Sequence, residues 1–335
     1  MTVIDGKIFE LQARGGISRI FQEIIPRICE TEPIDLLVSK TPRQELPTHS
    51  NLRLFNKQNQ LDDKAIWHSS YYTLPKKWRG PIVITVADLI YELYSPLFRG
   101  FGADRLRKQR RRCIERADAI ICISETTRND VVEYFGIAHD KTFVVPLSHS
   151  DTFKQVSDEV EMVPFILYVG GRAGYKNWSG LVDAFARWDR RHDVNLLAVG
   201  PKFNRSEIVQ LNKYGITDRV NQIDGVTDAL LCRLYNRARA FVYPSLYEGF
   251  GIPLLEAMAC GCPVVASRIP SSLEVAGKVP IYFSTYAQTG FTDALERAFT
   301  EGRDSERTRL GLEWVTQYSW DKTAAGTLEV YRGLA

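Results

Sequence analysis

The chain reads Arg237-Ala-Arg-Ala-Phe-Val-Tyr-Pro-Ser-Leu-Tyr-Glu-Gly-Phe-Gly-Ile-Pro-Leu-Leu-Glu-Ala-Met-Ala-Cys-Gly-Cys-Pro-Val-Val-Ala-Ser-Arg268. An apolar strand, Ala240 to Tyr243, runs into a loop containing Gly249 and Gly251. Pro253 suits the first position of a helix. The spacing predicts that helix over Leu254 to Cys260, with Gly261 as its C-cap. A second apolar strand, Pro263 to Ala266, follows. Strand, glycine loop, helix and strand in this order make a βαβ unit, and hence a parallel sheet. Glu248 and Glu256 bracket the loop, eight positions apart.

That arrangement suits a phosphorylated ligand. Glycines let the backbone approach a ligand closely. A helix N-terminus offers free N–H groups and the positive end of its dipole. Glu256 is expected in the first helical turn, beside the anion, where it can accept hydrogen bonds from ribose hydroxyls. Glu248, just before the loop, would lie near a sugar attached to the diphosphate. A buried strand-turn-helix with two incidental glutamates is the plain alternative. Two acids, two glycines and a proline at this spacing favour the ligand.

Outward from this stretch, strands alternate with helices. Apolar strands are readable at Thr2 to Ile4, Asp35 to Ser39, Leu52 to Phe55, Ile66 to His68, Ile82 to Ala87, Ala119 to Ile123 and Thr142 to Val145. A second series runs through Phe165 to Val169, Asn195 to Val199, Val220 to Ile223, Ala240 to Tyr243, Pro263 to Ala266 and Ile281 to Phe283. Helical patterns lie between, at Ile17 to Cys29, Arg105 to Arg116, Glu125 to Phe135, Trp178 to Trp188 and Ala229 to Arg237. The alternation predicts parallel sheets covered on both faces. Leu147 to Val163 is polar, without strong periodicity, and reads as a linker. The expectation is an α/β protein of two Rossmann-like domains with a ligand cleft between them; ligands bind beyond the C-terminal strand ends of such sheets.

The run Glu248-Gly-Phe-Gly-Ile-Pro-Leu-Leu-Glu256 resembles the E-x7-E motif of retaining GT-B glycosyltransferases of family 4, and its flanks are similar to that family too. The resemblance implies two doubly wound parallel-sheet domains facing a central cleft. It places an acceptor-side domain at 1–155, a nucleotide-sugar domain at 156–318, and a terminal helix, Ser319 to Leu334, crossing back to the first domain. It implies transfer of a sugar from a nucleotide diphosphate to a hydroxyl of a glycan or lipid-linked saccharide, with no cofactor and no metal. Glu256 would take the ribose. Glu248, with Gly249 and the backbone of Phe250, Gly251 and Ile252, would address sugar and phosphate.

Further motifs extend the resemblance. Phe165-Ile-Leu-Tyr-Val-Gly-Gly-Arg-Ala-Gly-Tyr-Lys-Asn177 ends a strand in glycines and presents Arg172 and Lys176. Two cations on a glycine-rich turn suit a diphosphate, lysine as a point charge and arginine as a fork. The resemblance makes them stabilisers of the leaving group. Asn177 is a candidate N-cap. Gly15 and Gly16, in Gln12-Ala-Arg-Gly-Gly-Ile-Ser-Arg19, match the family's G-G loop, which faces the diphosphate or acceptor. Asp88, in Ile82-Val-Ile-Thr-Val-Ala-Asp88, matches an aspartate near the donor sugar or acceptor. Ala87 stands where relatives often carry a histidine that binds a hexose 6-hydroxyl. An unpaired buried hydroxyl costs roughly 1–3 kcal/mol, so Ala87 favours a 6-deoxyhexose or a pentose. His68, in His68-Ser-Ser-Tyr-Tyr72, is equally a core histidine or a cleft residue.

The 335-residue chain has 43 Lys+Arg against 40 Asp+Glu, a net charge of +3, so no global field points to nucleic acid. Its six cysteines lie mostly in apolar segments and form no C-x-x-C, which reads as reduced thiols in the cytoplasm. The N-terminus has no cationic-then-apolar signal pattern, and no apolar run approaches the roughly 20 residues of a membrane span. Arg105 to Arg116 holds seven Arg/Lys and one Glu. It reads either as a solvated helix face or as a contact for anionic lipid on the inner face of a membrane. No G-x-G-x-x-G, phosphate-binding P-loop, D-x-D or G-x-S-x-G occurs, which argues against dehydrogenases, P-loop enzymes, metal-dependent transferases and α/β-hydrolases. A non-catalytic nucleotide-sugar or glycan binding module, or a GT-B epimerase or phosphorylase, is the alternative function.

Overall fold

The computed structural model describes residues 1–13, 15–156, 163–285 and 288–334. Arg14 of the Gly15-Gly16 segment and 157–162 of the linker lie outside the described residues. The chain divides into two compact units, Met1–Ser148 with Tyr318–Ala335, and His149–Gln317.

The first unit holds seven parallel strands: β1 (Thr2–Asp5), β2 (Ile34–Leu37), β3 (Leu52–Phe55), β4 (Ile66–Ser69), β5 (Ile82–Val86), β6 (Ala119–Cys122) and β7 (Thr142–Val144). Their order is β3-β2-β1-β4-β5-β6-β7. Chain direction across the sheet reverses beside β1, where Ile4 pairs with Leu36 on one side and His68 on the other. The second unit repeats the plan with six: β8 (Phe165–Val169), β9 (Asn195–Val199), β10 (Val220–Ile223), β11 (Ala240–Tyr243), β12 (Val264–Ser267) and β13 (Ile281–Phe283), ordered β10-β9-β8-β11-β12-β13. Among the described residues every strand pairing in both sheets is parallel. Val3, Ile4, Val83, Ile84 and Ile120 in one sheet, and Ile166, Leu196, Val242 and Val265 in the other, are fully buried. Continuous apolar strands of this kind are what a sheet covered on both faces requires.

The unit border falls at Ser148/His149, seven residues before the border expected from the sequence. Polarity misled there, because the polar groups of the segment are bonded to the second unit. Asn236 Nδ2 donates to the Lys154 carbonyl at 2.8 Å, and the Val156 amide donates to Asn236 Oδ1 at 3.0 Å. Phe153 is buried with its ring 5.9 Å from that of Tyr235.

The helix Trp320–Arg332 completes the first unit. Ser319 caps it by accepting from the Lys322 amide at 3.2 Å. It packs on the helix Gly16–Cys29 and buries Ala324, Leu328 and Tyr331, while Gly16–Cys29 buries Ile20, Phe21, Ile24, Ile25 and Ile28. Full burial of an isoleucine contributes about 1.5–3 kcal/mol. His68 is a core residue: Nδ1 meets the Tyr331 hydroxyl at 2.5 Å and Nε2 the Thr85 hydroxyl at 2.8 Å. Burial holds its imidazole neutral, pushing its pKa down to about 3.

Candidate functional site

In the second unit two loops meet at the C-terminal ends of β8 and β11. The Leu246 amide donates to the Tyr175 carbonyl at 2.7 Å, tying the glycine-rich turn to the loop that carries Glu248. This tie brings Lys176 Nζ to Glu248 Oε1 at 2.6 Å, with side chains 23% and 13% exposed. Glu248 also hydrogen-bonds the buried Tyr243 hydroxyl, and burial followed by the carboxylate pushes that phenol well above its usual range. Lys176 and Glu248 therefore present one ammonium and one carboxylate, fixed against each other and still reached by solvent.

Gly251 forces the turn into the helix Ile252–Ala259. Its φ of +120° is a conformation that side-chain-bearing residues avoid, and a Cβ there would meet Leu254 Cδ1 at 3.0 Å. The helix begins two residues before the expected Leu254, with Pro253 as its second residue. Glu256 consequently stands in the second turn, not the first, and it is buried. Its Oε2 accepts from the Tyr235 hydroxyl at 3.1 Å. Phe250 is buried and Ile252 half-buried, so the loop offers backbone more than side chain. The helix ends at Ala259 with Cys260 as its C-cap, and Gly261, at φ +62°, follows as the left-handed residue.

Arg172, expected at the diphosphate, is bonded to neighbours within the unit. Its side chain is 4% exposed. Nε donates to Glu207 Oε1 at 2.9 Å, and Nη2 donates to the carbonyls of Pro201 and Lys202. The guanidinium lies 4.8 Å from the Phe203 ring and 5.6 Å from that of Trp178. Glu207 in turn accepts from the Asn204 amide at 2.7 Å, closing a capping box on the helix Arg205–Tyr214. Arg172 is thus a brace between the glycine turn and that helix, and Lys176 is the cation of the turn that the Glu248 loop meets. Gly200 allows the end of β9 to approach the glycine turn closely: a Cβ there would lie 2.3 Å from the Gly170 carbonyl oxygen. Asn177 occupies the N-cap position of Trp178–Arg187 in a left-handed conformation, but its side chain makes no cap hydrogen bond.

The remaining predicted residues belong to the first unit. Gly16 opens the helix Gly16–Cys29 and faces open space, whereas Gly15 lies against the Gln12 side chain. Asp88 follows β5, half-buried, with Oδ1 accepting from the Ile90 amide at 3.0 Å. Arg110 Nη2 donates to the Asp88 carbonyl and stands 4.0 Å from its Oδ1. Arg110 is itself buried, paired with Glu92 at 2.9 Å and 4.4 Å from the Tyr72 ring. The helix Phe101–Arg116 is therefore not a uniformly solvated cationic face: one of its seven cations serves the interior beneath Asp88.

A model of the family described as Glycosyltransferase Family 4 matches residues 11–148, and one described as Glycosyl transferases group 1 matches residues 149–311. The chain belongs to the GT4-type glycosyltransferase family, whose two models together span residues 11–311. It is 30% identical over 260 residues to the serotype-specific mannosyltransferase WbdA of Escherichia coli, covering 72% of this chain and 31% of that one. It is also 30% identical over 252 residues to the O-antigen chain mannosyltransferase B of Escherichia coli, covering 68% of this chain and 65% of that one. The chain spans less than two thirds of the length of either relative. Among solved structures it shares its fold with WaaG, a glycosyltransferase involved in lipopolysaccharide biosynthesis (TM-score 0.76, 16% identity, 99% of this chain and 100% of that one). Anabaena Alr3699/HepE in complex with UDP and glucose is similar at TM-score 0.78 and 15% identity, over 99% of each chain.

Sequence reasoning missed four residues that shape these candidate sites. Tyr235 and Tyr243 carry hydroxyls into apolar segments and bond Glu256 and Glu248. Glu207 was hidden in an ordinary helix start, although Asn204 followed three residues later by Glu207 is a readable capping box. Arg110 was submerged in a charge run, and only its helical spacing from Cys113 and Ile114, both buried, marked it as inward.

Proposed function

We propose that this protein transfers a hexose from a nucleotide diphosphate donor to a hydroxyl of a glycan or lipid-linked saccharide, retaining the anomeric configuration and using no metal ion. The observation that carries this reading is the Lys176–Glu248 pair held at the mouth of the Gly251 turn, with Glu256 buried one helical turn behind it. In the reaction the bond from the anomeric carbon to the diphosphate oxygen breaks. A bond from that carbon to the acceptor oxygen forms, and the acceptor proton passes to the departing phosphate on the same face. Charge then grows on the diphosphate, and Lys176 supplies the fixed cation that meets it. A charge held in place before the reaction begins costs no reorganisation when the leaving group departs, which makes it a strong contributor to the rate. When the diphosphate arrives, Lys176 turns from Glu248 to phosphate, and Glu248 is freed for the sugar hydroxyls. Glu256, oriented by Tyr235, takes the ribose.

For the donor sugar, the mannosyltransferase names of the relatives favour mannose, whereas Ala87 favours a 6-deoxyhexose. The six cysteines are free and buried, which fits a reducing cytoplasm. Incubation with a panel of nucleotide sugars, scoring release of the nucleoside diphosphate with and without chelator, tests the proposal. Release from one donor, stimulated by an acceptor saccharide and insensitive to chelator, is expected. Tight nucleotide-sugar binding without release from any donor would establish a binding module, and release that needs a divalent ion would overturn metal independence.

A further inference from the structure

The basic helix Phe101–Arg116 divides its cations between two tasks. Arg110 pairs with Glu92, Arg107 with Asp104, Arg111 with Glu115 and Arg116 with Asp118. Arg107 also donates to the carbonyls of Tyr91 and Phe98, and so fastens the preceding segment onto the helix. Arg105, Lys108 and Arg112 remain exposed, with no ion pair and no side-chain hydrogen bond among the described residues.

These three are not scattered. Phe101, Arg105, Lys108 and Arg112 follow one another at intervals of four, three and four residues, which is one face of an α-helix. All four line a single surface groove of about 670 Å³, together with Tyr72, Leu74 and the Arg107–Asp104 pair, whose charges offset each other. Phe101 is 85% exposed, and the segment leading into the helix exposes Leu93 and Leu97 by 42% and 52%. A solvated helix face needs no exposed phenylalanine at its head. A purely electrostatic partner would need the cations but not the apolar side chains. An apolar end followed by unpaired cations on the same face is the pattern of a segment lying in the headgroup region of a bilayer, with apolar side chains in the acyl boundary and cations among anionic phosphates.

We propose that the face formed by Phe101, Arg105, Lys108 and Arg112 docks this protein on an anionic lipid surface. The contact belongs to the first unit alone and does not depend on the donor chemistry. Each cation near an anionic leaflet is worth about 1 kcal/mol, or roughly fivefold in partitioning, so the three together give about 10²-fold. Salt weakens this part, because the Debye length falls to about 3 Å at 1 M.

The test uses the whole chain and vesicles of phosphatidylcholine with or without phosphatidylglycerol. Co-sedimentation is expected only with phosphatidylglycerol, and high salt should release the protein. The triple variant Arg105→Ala, Lys108→Ala, Arg112→Ala should lose about 10²-fold in partitioning while keeping its nucleotide-release rate in solution. A Phe101→Cys variant carrying an environment-sensitive dye should shift to the blue on anionic vesicles, since the six native cysteines are buried and do not compete for label. Wild-type partitioning by the triple variant, equal binding to neutral vesicles, or a dye that stays in water on anionic vesicles would overturn the proposal. So would a tighter complex with a duplex oligonucleotide, or dimerisation that the triple substitution abolishes.

Discussion

Replacing Arg172 by Met separates bracing from catalysis. The substitution keeps the aliphatic stem beside Trp178 and Phe203 but removes Nε from Glu207 and Nη2 from the Pro201 and Lys202 carbonyls. It leaves the Glu207 carboxylate, 9% exposed, without its cation. Breaking a buried pair by deleting one partner typically costs about 3–5 kcal/mol, and because Glu207 keeps the Asn204 amide we expect about 2–4 kcal/mol here. For a unit the size of His149–Gln317, each kcal/mol lowers the midpoint by about 2–4 °C, so thermal unfolding should shift down by about 4–16 °C. Arg172→Lys should recover little of this, because an ammonium cannot reproduce the fork. Pairing Arg172→Met with Glu207→Gln in a double-mutant cycle should give a coupling of about 1–3 kcal/mol. Differential scanning calorimetry reads the midpoint, and nucleotide titration at a temperature well below it reads the site. If the variant unfolds within a degree of the parent yet loses nucleotide affinity, the brace is wrong and Arg172 binds the diphosphate after all.

Lys176→Ala should lower turnover by about 10²–10³-fold with little change in unfolding, since removal of one preorganised charge stabiliser has that effect; near-normal turnover would remove Lys176 from the mechanism. Two buried groups of the first unit pull stability in opposite directions with pH. His68, held down near 3 against 6.5 when unfolded, contributes stability that is present above pH 6.5 and lost as pH falls toward 3. Asp5, raised by burial to about 7 from 3.8, contributes stability that is present below pH 3.8 and lost as pH rises through 7. His68→Gln should leave the Asp5 slope unopposed, so urea midpoints of that variant should rise as pH falls from about 7 to about 4, and a rising dependence on pH in the variant would contradict the assignment. Ala87→His should shift donor preference toward the sugar bearing a 6-hydroxyl, read as the ratio of kcat/KM for donors differing only at carbon 6; a parent enzyme that already prefers the hydroxylated donor would sink the 6-deoxyhexose reading.

The backbone plan was legible because its signal is local. Each of the thirteen described strands lies where a strand was readable in the sequence; central strands such as β5 and β6 are apolar throughout because both their faces are buried, whereas the edge strands β3 and β10 carry exposed polar residues. The glycine turn at 249–251 was legible for the same reason: the left-handed φ of Gly251 is a property of one residue. What was not legible depends on where a long side chain goes once the fold exists. Arg172 and Lys176 look equivalent in the sequence, yet Arg172 turns back to Glu207, thirty-five positions along, while Lys176 meets Glu248, seventy-two along. Nothing in either local pattern encodes that choice. The segment 149–156 failed as a linker because its hydrogen-bond partner, Asn236, lies some eighty residues away.

The seam between the helices Gly16–Cys29 and Trp320–Arg332 has a consequence for biosynthesis. Emerging from the ribosome, the first 148 residues already contain seven strands' worth of sheet, but the part of the helix Gly16–Cys29 that packs on Trp320–Arg332 stays uncovered until that helix arrives. At a synthesis rate of about 5–20 residues per second, the intervening residues take roughly 10–40 s to appear. The second unit, made from one unbroken segment, can fold within that interval. The first cannot finish, and the His68–Tyr331 contact is necessarily among the last to form. The nascent chain therefore spends those seconds with an oily flank exposed, a natural client for a chaperone that holds rather than folds.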